Sequence, residues 1–167
     1  MKETILEEVS GAKVIEFDRY KDNRGYFQEV HSFAKYEMRP VQTNVSMSHS
    51  DVLRGMHVVP FAKLCTCIQG SLWDVVADVR KDSPTYGNWF GVWLTDKNCK
   101  QLYVPSGCAH GFLSGEDFTI LLYCQDGTYN PDLEWEVNWS DPTLNIDWPD
   151  PIMEYIVSDK DQNAKFL

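Results

Sequence analysis

The chain has 167 residues, 43% hydrophobic and 13% aromatic, which is enough apolar surface for a substantial core and too much for wholesale disorder. A formal net charge of −10 excludes a surface that tracks a nucleic-acid backbone or an anionic membrane, although single arginines can still grip individual phosphates. No apolar run reaches membrane-span length and Met1-Lys2-Glu3-Thr4 carries no signal-like pattern, so a cytoplasmic protein without nucleic-acid or membrane partners is expected.

Strand-like runs predict β-strands over 12–17, 26–31, 41–48, 53–58, 63–69, 71–79, 88–95, 101–104, 109–113, 118–125 and 134–139. Turn residues punctuate them at Gly70-Ser71, Asp82-Ser83-Pro84, Asp96-Lys97-Asn98, Pro105-Ser106-Gly107 and Gly115-Glu116-Asp117. In the 71–79 run, Asp74, Val76 and Asp78 fall on one face and Trp73, Val75, Ala77 and Val79 on the other. Phe118 to Cys124 is apolar on both faces, as in a strand between two layers. Helices are expected only as short pieces, around Ser32–Tyr36 and near the C-terminus. Many short strands without repeats or a linker predict one all-β domain over 1–167, a sandwich or jelly roll.

Five cysteines (65, 67, 99, 108 and 124) include no Cys-x-x-Cys pair, which argues against zinc or redox chemistry. Cys65 and Cys67 lie two apart in a strand, so both point one way, as core residues do. Four histidines (31, 49, 57 and 110) are isolated, with no His-x-His pair of the kind that holds a metal in many β-barrels, so no metal is expected.

Two short stretches carry candidate chemistry: Leu53-Arg54-Gly55-Met56-His57 and Ala109-His110-Gly111-Phe112. Arg54 and His57 are three apart, so strict alternation sends them to opposite faces; a bulge at Gly55 would bring them together. The small neighbours of His110 fit a close backbone approach or a ligand. Lys63 reads as an exposed lysine at a strand start, and Tyr123 either as a buried ring or as a proton donor. Asp161 alone reads as a solvated charge near the C-terminus.

The chain resembles the dTDP-4-dehydrorhamnose 3,5-epimerase family over about residues 12–161. The resemblance rests on Asp22-Asn23-Arg24-Gly25-Tyr26-Phe27-Gln28-Glu29, Gln42-Thr43-Asn44 with Ser46, and Leu53 to His57. It continues through Asp74 to Arg80 with Asp82-Ser83-Pro84-Thr85-Tyr86-Gly87, Val104 to Phe112, Tyr123 and Tyr129-Asn130-Pro131. Trp139-Ser140-Asp141-Pro142, Ile146-Asp147-Trp148-Pro149 and Ser158-Asp159-Lys160-Asp161 complete it.

The resemblance implies a cupin-type jelly roll with short flanking helices that inverts C3, C5 or both of a nucleotide-linked 4-keto sugar, as a homodimer without cofactors. It implies His57 as general base, Asp161 as its orienting carboxylate, Tyr123 as the proton donor on the opposite face and Lys63 as the C4 oxyanion stabiliser. It further implies that Arg24, Glu29, Gln42, Asn44, Arg54, His110, Glu134 and Lys160 line the nucleotide-sugar site, Arg24 and Glu29 across a dimer interface, with Tyr129 stacked on the base. The chain departs from the family pattern in a short Val58-Val59-Pro60-Phe61-Ala62 loop, in Thr128 where a tyrosine is usual, and in Cys124 where a lysine is usual. These changes bear on which nucleotide and sugar are bound and on how many centres are inverted. The rival expectations are a 3,4-ketoisomerase of the same fold, a non-catalytic sugar-binding cupin and a metal-dependent cupin oxygenase.

Overall fold

A computed structural model describes residues 1–32 and 38–167. Two six-strand layers face each other. The first runs β1 (Lys2–Ile5), β2 (Lys13–Glu16), β10 (Lys100–Val104), β7 (Lys63–Gln69), β12 (Thr119–Gln125) and β5 (Gln42–Ser48). The second runs β13 (Trp135–Glu136), β6 (Val52–Val58), β11 (Ala109–Ser114), β8 (Ser71–Ala77) and β9 (Trp89–Thr95), with β14 (Ile156–Val157) joining β6 in parallel. The remaining hairpin, β3 (Arg19–Asp22) with β4 (Gly25–Gln28), pairs with itself. This is the expected cupin-type jelly roll.

The alternation along β8 partitions as its residues dictate. Val76 packs between the layers with Cys65, Cys67, Leu94, Leu102, Phe112 and Leu121, so the cysteine pair is core as expected. Val75, Ala77 and Val79 pack on the outer face of the second layer under Leu144 and Trp148 of the C-terminal segment. β12 has two covered faces: Leu121 looks inward, and Cys124 joins Ile15, Met38, Ala62 and Leu64 outside.

Three expected boundaries are corrected. The 134–139 run keeps only Trp135–Glu136 as strand, because the buried Asn138 turns the chain. Its Nδ2 donates to the carbonyls of Gln162 and Ala164, and its Oδ1 accepts from the Ser140 N–H. The 26–31 run stops at Gln28 within the β3–β4 hairpin, and the 71–79 run stops at Ala77, before the Asp78 turn. The C-terminal helix is α1 (Asp159–Gln162), capped by Ser158. The helix expected at 32–36 falls almost wholly outside the described residues.

Candidate active site

β6 and β11 pass each other where neither can carry a side chain. A Cβ on Gly55 would sit 2.6 Å from Gly111 Cα, and one on Gly111 would sit 2.7 Å from Arg54 O. Arg54 pairs with Phe112 and His57 with His110, so three steps on β6 match two on β11. The extra residue is a bulge, and it turns Arg54 and His57 to the same, inner face, as Gly55 predicts. Leu53, Met56 and Val58 consequently pack outside, in the second layer's cluster.

His57 Nε2 lies 2.7 Å from Asp161 Oδ1, and Gly55 N–H donates to Asp161 Oδ2 at 3.3 Å. The Asp161 side chain is 5% exposed, the His57 ring 28%. Asp161 is therefore no solvated charge: α1, started by the Ser158 cap, drives it into the barrel wall. Burial pushes its pKa up, but the bonds from His57, Gly55 and Ser158 outweigh burial and hold it below the usual carboxylate value. An ionised carboxylate only accepts, so Nε2 carries the proton and Nδ1 keeps a lone pair.

Across β11, His110 is buried and its Nε2 lies 2.8 Å from Asp74 Oδ1, at the inner end of the β8 alternation. The same nitrogen is 3.5 Å from Cys65 Sγ on the opposite layer. Cys65 pairs directly with Tyr123, and Tyr123 with Asn44. This sequence of neighbours brings the second layer's histidines to the level of the first layer's phenol.

Lys63 stands on the inner face of β7, 8% exposed. Burial lowers its pKa, while Cys65, Glu134 and Asp74 act through space in the opposite direction. Tyr123 is pushed up by burial and by the nearby Cys65, Glu134 and Tyr129, with Arg54 opposing, so the phenol keeps its proton near neutral pH. Lys63 and Tyr123 belong to one wall, and His57 and His110 to the other.

Around this centre, Lys160 Nζ pairs with Glu134 at 2.7 Å and also with Glu136, and both carboxylates raise its pKa. Arg54 Nε reaches Ser48 Oγ at 3.1 Å and its Nη2 reaches the Met47 carbonyl at 3.2 Å. Gln42 Nε2 donates to Asn44 Oδ1 at 2.7 Å, and Gln42 Oε1 accepts the Tyr129 N–H at 2.9 Å. The Tyr129 residue is 50% exposed. Arg24 and Glu29 are not brought into this set by the contacts described: Arg24 sits in the β3–β4 turn, paired with Asp22 at 2.5 Å, and Glu29 follows β4.

The residue reading misses three participants: Asp74, Cys65 and Glu136. Asp74 was visible in principle, because a carboxylate sharing the inner face of β8 with Val76 needs a partner. Cys65, Asp74 and His110 bring their ligand atoms within 4.8 Å of one another, a donor set suited to a soft divalent ion. Such an ion would have to separate the Asp74–His110 pair and deprotonate a thiol whose pKa burial raises far above its ordinary value.

The family model for dTDP-4-dehydrorhamnose 3,5-epimerase matches residues 7–167. The dTDP-4-dehydrorhamnose 3,5-epimerase of Methanothermobacter thermautotrophicus is 42% identical over 168 residues, covering 95% of this chain and 91% of that protein. The rmlC epimerase of Mycobacterium tuberculosis superposes with a TM-score of 0.96 at 37% identity, over 99% of this chain and 88% of that one. ChmJ, a 3′-monoepimerase of Streptomyces bikiniensis solved with dTDP-quinovose, superposes with a TM-score of 0.90 at 34% identity, over 95% and 84%. A cupin jelly roll with these matches defines an isomerase-class enzyme of nucleotide-sugar biosynthesis. The chain belongs to the dTDP-4-dehydrorhamnose 3,5-epimerase family.

Proposed function

We propose that the chain inverts C3, C5 or both of a 4-keto sugar carried on a nucleoside diphosphate, with His57 as base and Tyr123 as acid. The observation that carries this reading is the buried, ionised Asp161 held 2.7 Å from a partly open His57 ring. A carbonyl at C4 makes the hydrogens at C3 and C5 acidic, because the resulting carbanion spreads onto the C4 oxygen. His57 takes the proton on Nδ1, and Asp161 stabilises the imidazolium that forms. Lys63, desolvated in the wall, regains a counter-charge as the C4 oxygen becomes anionic. Tyr123 returns a proton from the other wall, which inverts the centre. Solvent then resets the imidazolium and the phenolate. No electron leaves the sugar, so the chemistry asks for no redox cofactor.

Arg54, His110, Gln42, Asn44, Glu134 and Lys160 belong to the ligand grip in this reading, with Tyr129 stacking on the base. A homodimer in the cytoplasm completes it. The outward residues of edge strand β5 include Val45 and Met47, 61% and 46% exposed. The β3–β4 hairpin adds Tyr20, Tyr26 and Phe27, 63%, 58% and 69% exposed. Exposed apolar groups of this size at a sheet edge fit a surface covered by a second copy. Arg24 and Glu29 would then serve the partner's site.

The test is incubation with 4-keto sugars on different nucleoside diphosphates in heavy water. Deuterium at C3 or C5 of an inverted product is expected. A carbonyl moved to C3 would identify a ketoisomerase instead, and no uptake from any sugar would overturn the proposal.

A further inference from the structure

Gln125 ends β12 with its side chain 2% exposed, and no role above uses it. Four hydrogen bonds pass through it and its neighbours in one direction. Tyr129 N–H donates to Gln42 Oε1 at 2.9 Å, and Gln42 Nε2 donates to Asn44 Oδ1 at 2.7 Å. Asn44 Nδ2 then donates to Gln125 Oε1 at 3.2 Å, and Gln125 Nε2 donates to the Gly127 carbonyl at 2.8 Å. The circuit leaves and rejoins the same short segment, 127–129.

Its two ends fix its polarity. A backbone N–H can only donate and a carbonyl can only accept, so each of the three amides has one permitted orientation. Flipping any of them would set donor against donor or acceptor against acceptor. Each amide oxygen has accepted one bond and each NH₂ has spent one of its two hydrogens, so Gln42 and Asn44 each keep one N–H held in a fixed direction.

The segment that anchors the circuit is itself clamped. Ala62 N–H donates to Asp126 Oδ1 at 2.7 Å, and Asp126 N–H returns to the Ala62 carbonyl at 3.3 Å. Gly127 lies flat on Phe61: a Cβ there would meet Phe61 Cδ1 at 2.5 Å. The short 58–62 loop thus holds the Gly127 carbonyl where Gln125 needs it. Register places Gln42 opposite Gln125 and Asn44 opposite Tyr123, so the spare donors border the phenol.

We propose that Gln125 is a positioning residue that orients Gln42 and Asn44 as a row of donors, so that this part of the site takes an oxygen acceptor of the ligand. The inference rests on the nucleotide-sugar reading of the site. The acceptor is an oxygen of the diphosphate or a carbonyl of the base, and the two sources separate experimentally.

The substitution Gln125→Met keeps an unbranched chain of similar volume and removes both hydrogen bonds. Binding of dTDP, thymidine and pyrophosphate is measured by calorimetry on the full chain, alongside kcat and KM. The expected result is dTDP binding weakened about tenfold, the scale of one hydrogen bond to a charged or well-placed acceptor. One fragment weakens with it and the other stays unchanged, which identifies the source. KM rises while kcat stays within about twofold, a split that general loosening of the barrel would not give. On the wild-type protein, dTDP must also shift the side-chain NH₂ resonances of Gln42 and Asn44, a readout independent of how the variant folds. Unchanged dTDP affinity, uniform loss of all three ligands with falling kcat, or unshifted amide resonances each overturn the proposal. A wild-type chain that binds none of the three and no other nucleoside diphosphate overturns the nucleotide reading beneath it, and the wild type alone reveals that outcome.

Discussion

Asp161 and Asp78 are both buried carboxylates, 3% and 0% exposed, and both have pKa values held below the ordinary range. Their partners differ in kind. Asp78 is filled by its own turn: Arg80 Nη2 at 2.7 Å, Arg80 Nε at 2.9 Å, Ser83 Oγ at 2.5 Å and Thr85 Oγ1 at 2.6 Å, all within seven residues. Asp161 reaches across 104 residues to an imidazole ring that remains partly open. A carboxylate saturated by fixed donors is a fastener, because no proton is free to move. A carboxylate paired with a partly open imidazole has the arrangement that the proposed proton transfer needs. Local saturation against long-range pairing with a titratable group separates structure from chemistry more sharply than burial does.

The largest effect should come from the titratable side of that contrast. His57→Asn is expected to slow deuterium uptake at C3 and C5 by about 10²–10⁴-fold, with thermal stability close to wild type. Exchange at the wild-type rate would remove His57 from the mechanism. Tyr123→Phe should separate two steps that the wild type couples. The ring and its packing stay while the donor is lost, so hydrogen at the sugar should still exchange through His57. Inversion should fall by roughly a hundredfold, leaving deuterated starting material of retained configuration. Normal inversion would assign the acid role elsewhere.

Asp161→Asn tests the comparison itself. The amide can donate to Nε2 and so favour the tautomer whose lone pair faces the wrong way. Turnover should drop by about a hundredfold through kcat, with KM little changed. A full-speed variant would make Asp161 a second fastener like Asp78.

How far each half of this contrast can be read in the sequence follows from its range. The Asp78 turn is a local word, Asp82-Ser83-Pro84 with Thr85, and the inner and outer faces of β8 follow from simple alternation. Gly55 is legible because Arg54 and His57 break alternation, and only a bulge repairs it. β1 and β3 escape such reading: Lys2–Ile5 is exposed at all four positions, and Arg19–Asp22 at three of its four, so neither has an apolar rhythm. β14 is two residues paired in parallel to β6. Asp161 taken as a residue looks solvated, and only the family resemblance pairs it with His57. No local pattern encodes a contact that depends on where the chain returns after 104 residues. The Gln125 circuit is hidden for the same reason: it exists only once β5 and β12 are in register.

The smallest effect on catalysis should come from Asp78→Asn. Its partners are all local and none belongs to the site, so kcat/KM should stay within about twofold of wild type, while stability should fall by about 2 kcal/mol as charge-assisted bonds weaken. The pH dependence gives the sign. Burial would raise the Asp78 pKa, but the bonds from Arg80, Ser83 and Thr85 prevail and leave it well below the ordinary value. A carboxylate depressed in the folded state stabilises the fold above its unfolded pKa, about 3.9. That contribution is lost as the pH falls from there through the lower folded value. Wild-type melting temperature should therefore decline below about pH 4, and Asp78→Asn, having no such carboxylate to protonate, should decline less steeply. Asp161→Asn should also flatten the acid limb, by less, since its bonds depress the carboxyl less strongly than the Asp78 turn does. Parallel acid limbs in wild type and Asp78→Asn would show that the Asp78 turn does not hold its charge in the folded protein, and the contrast between the two carboxylates would lose its structural half.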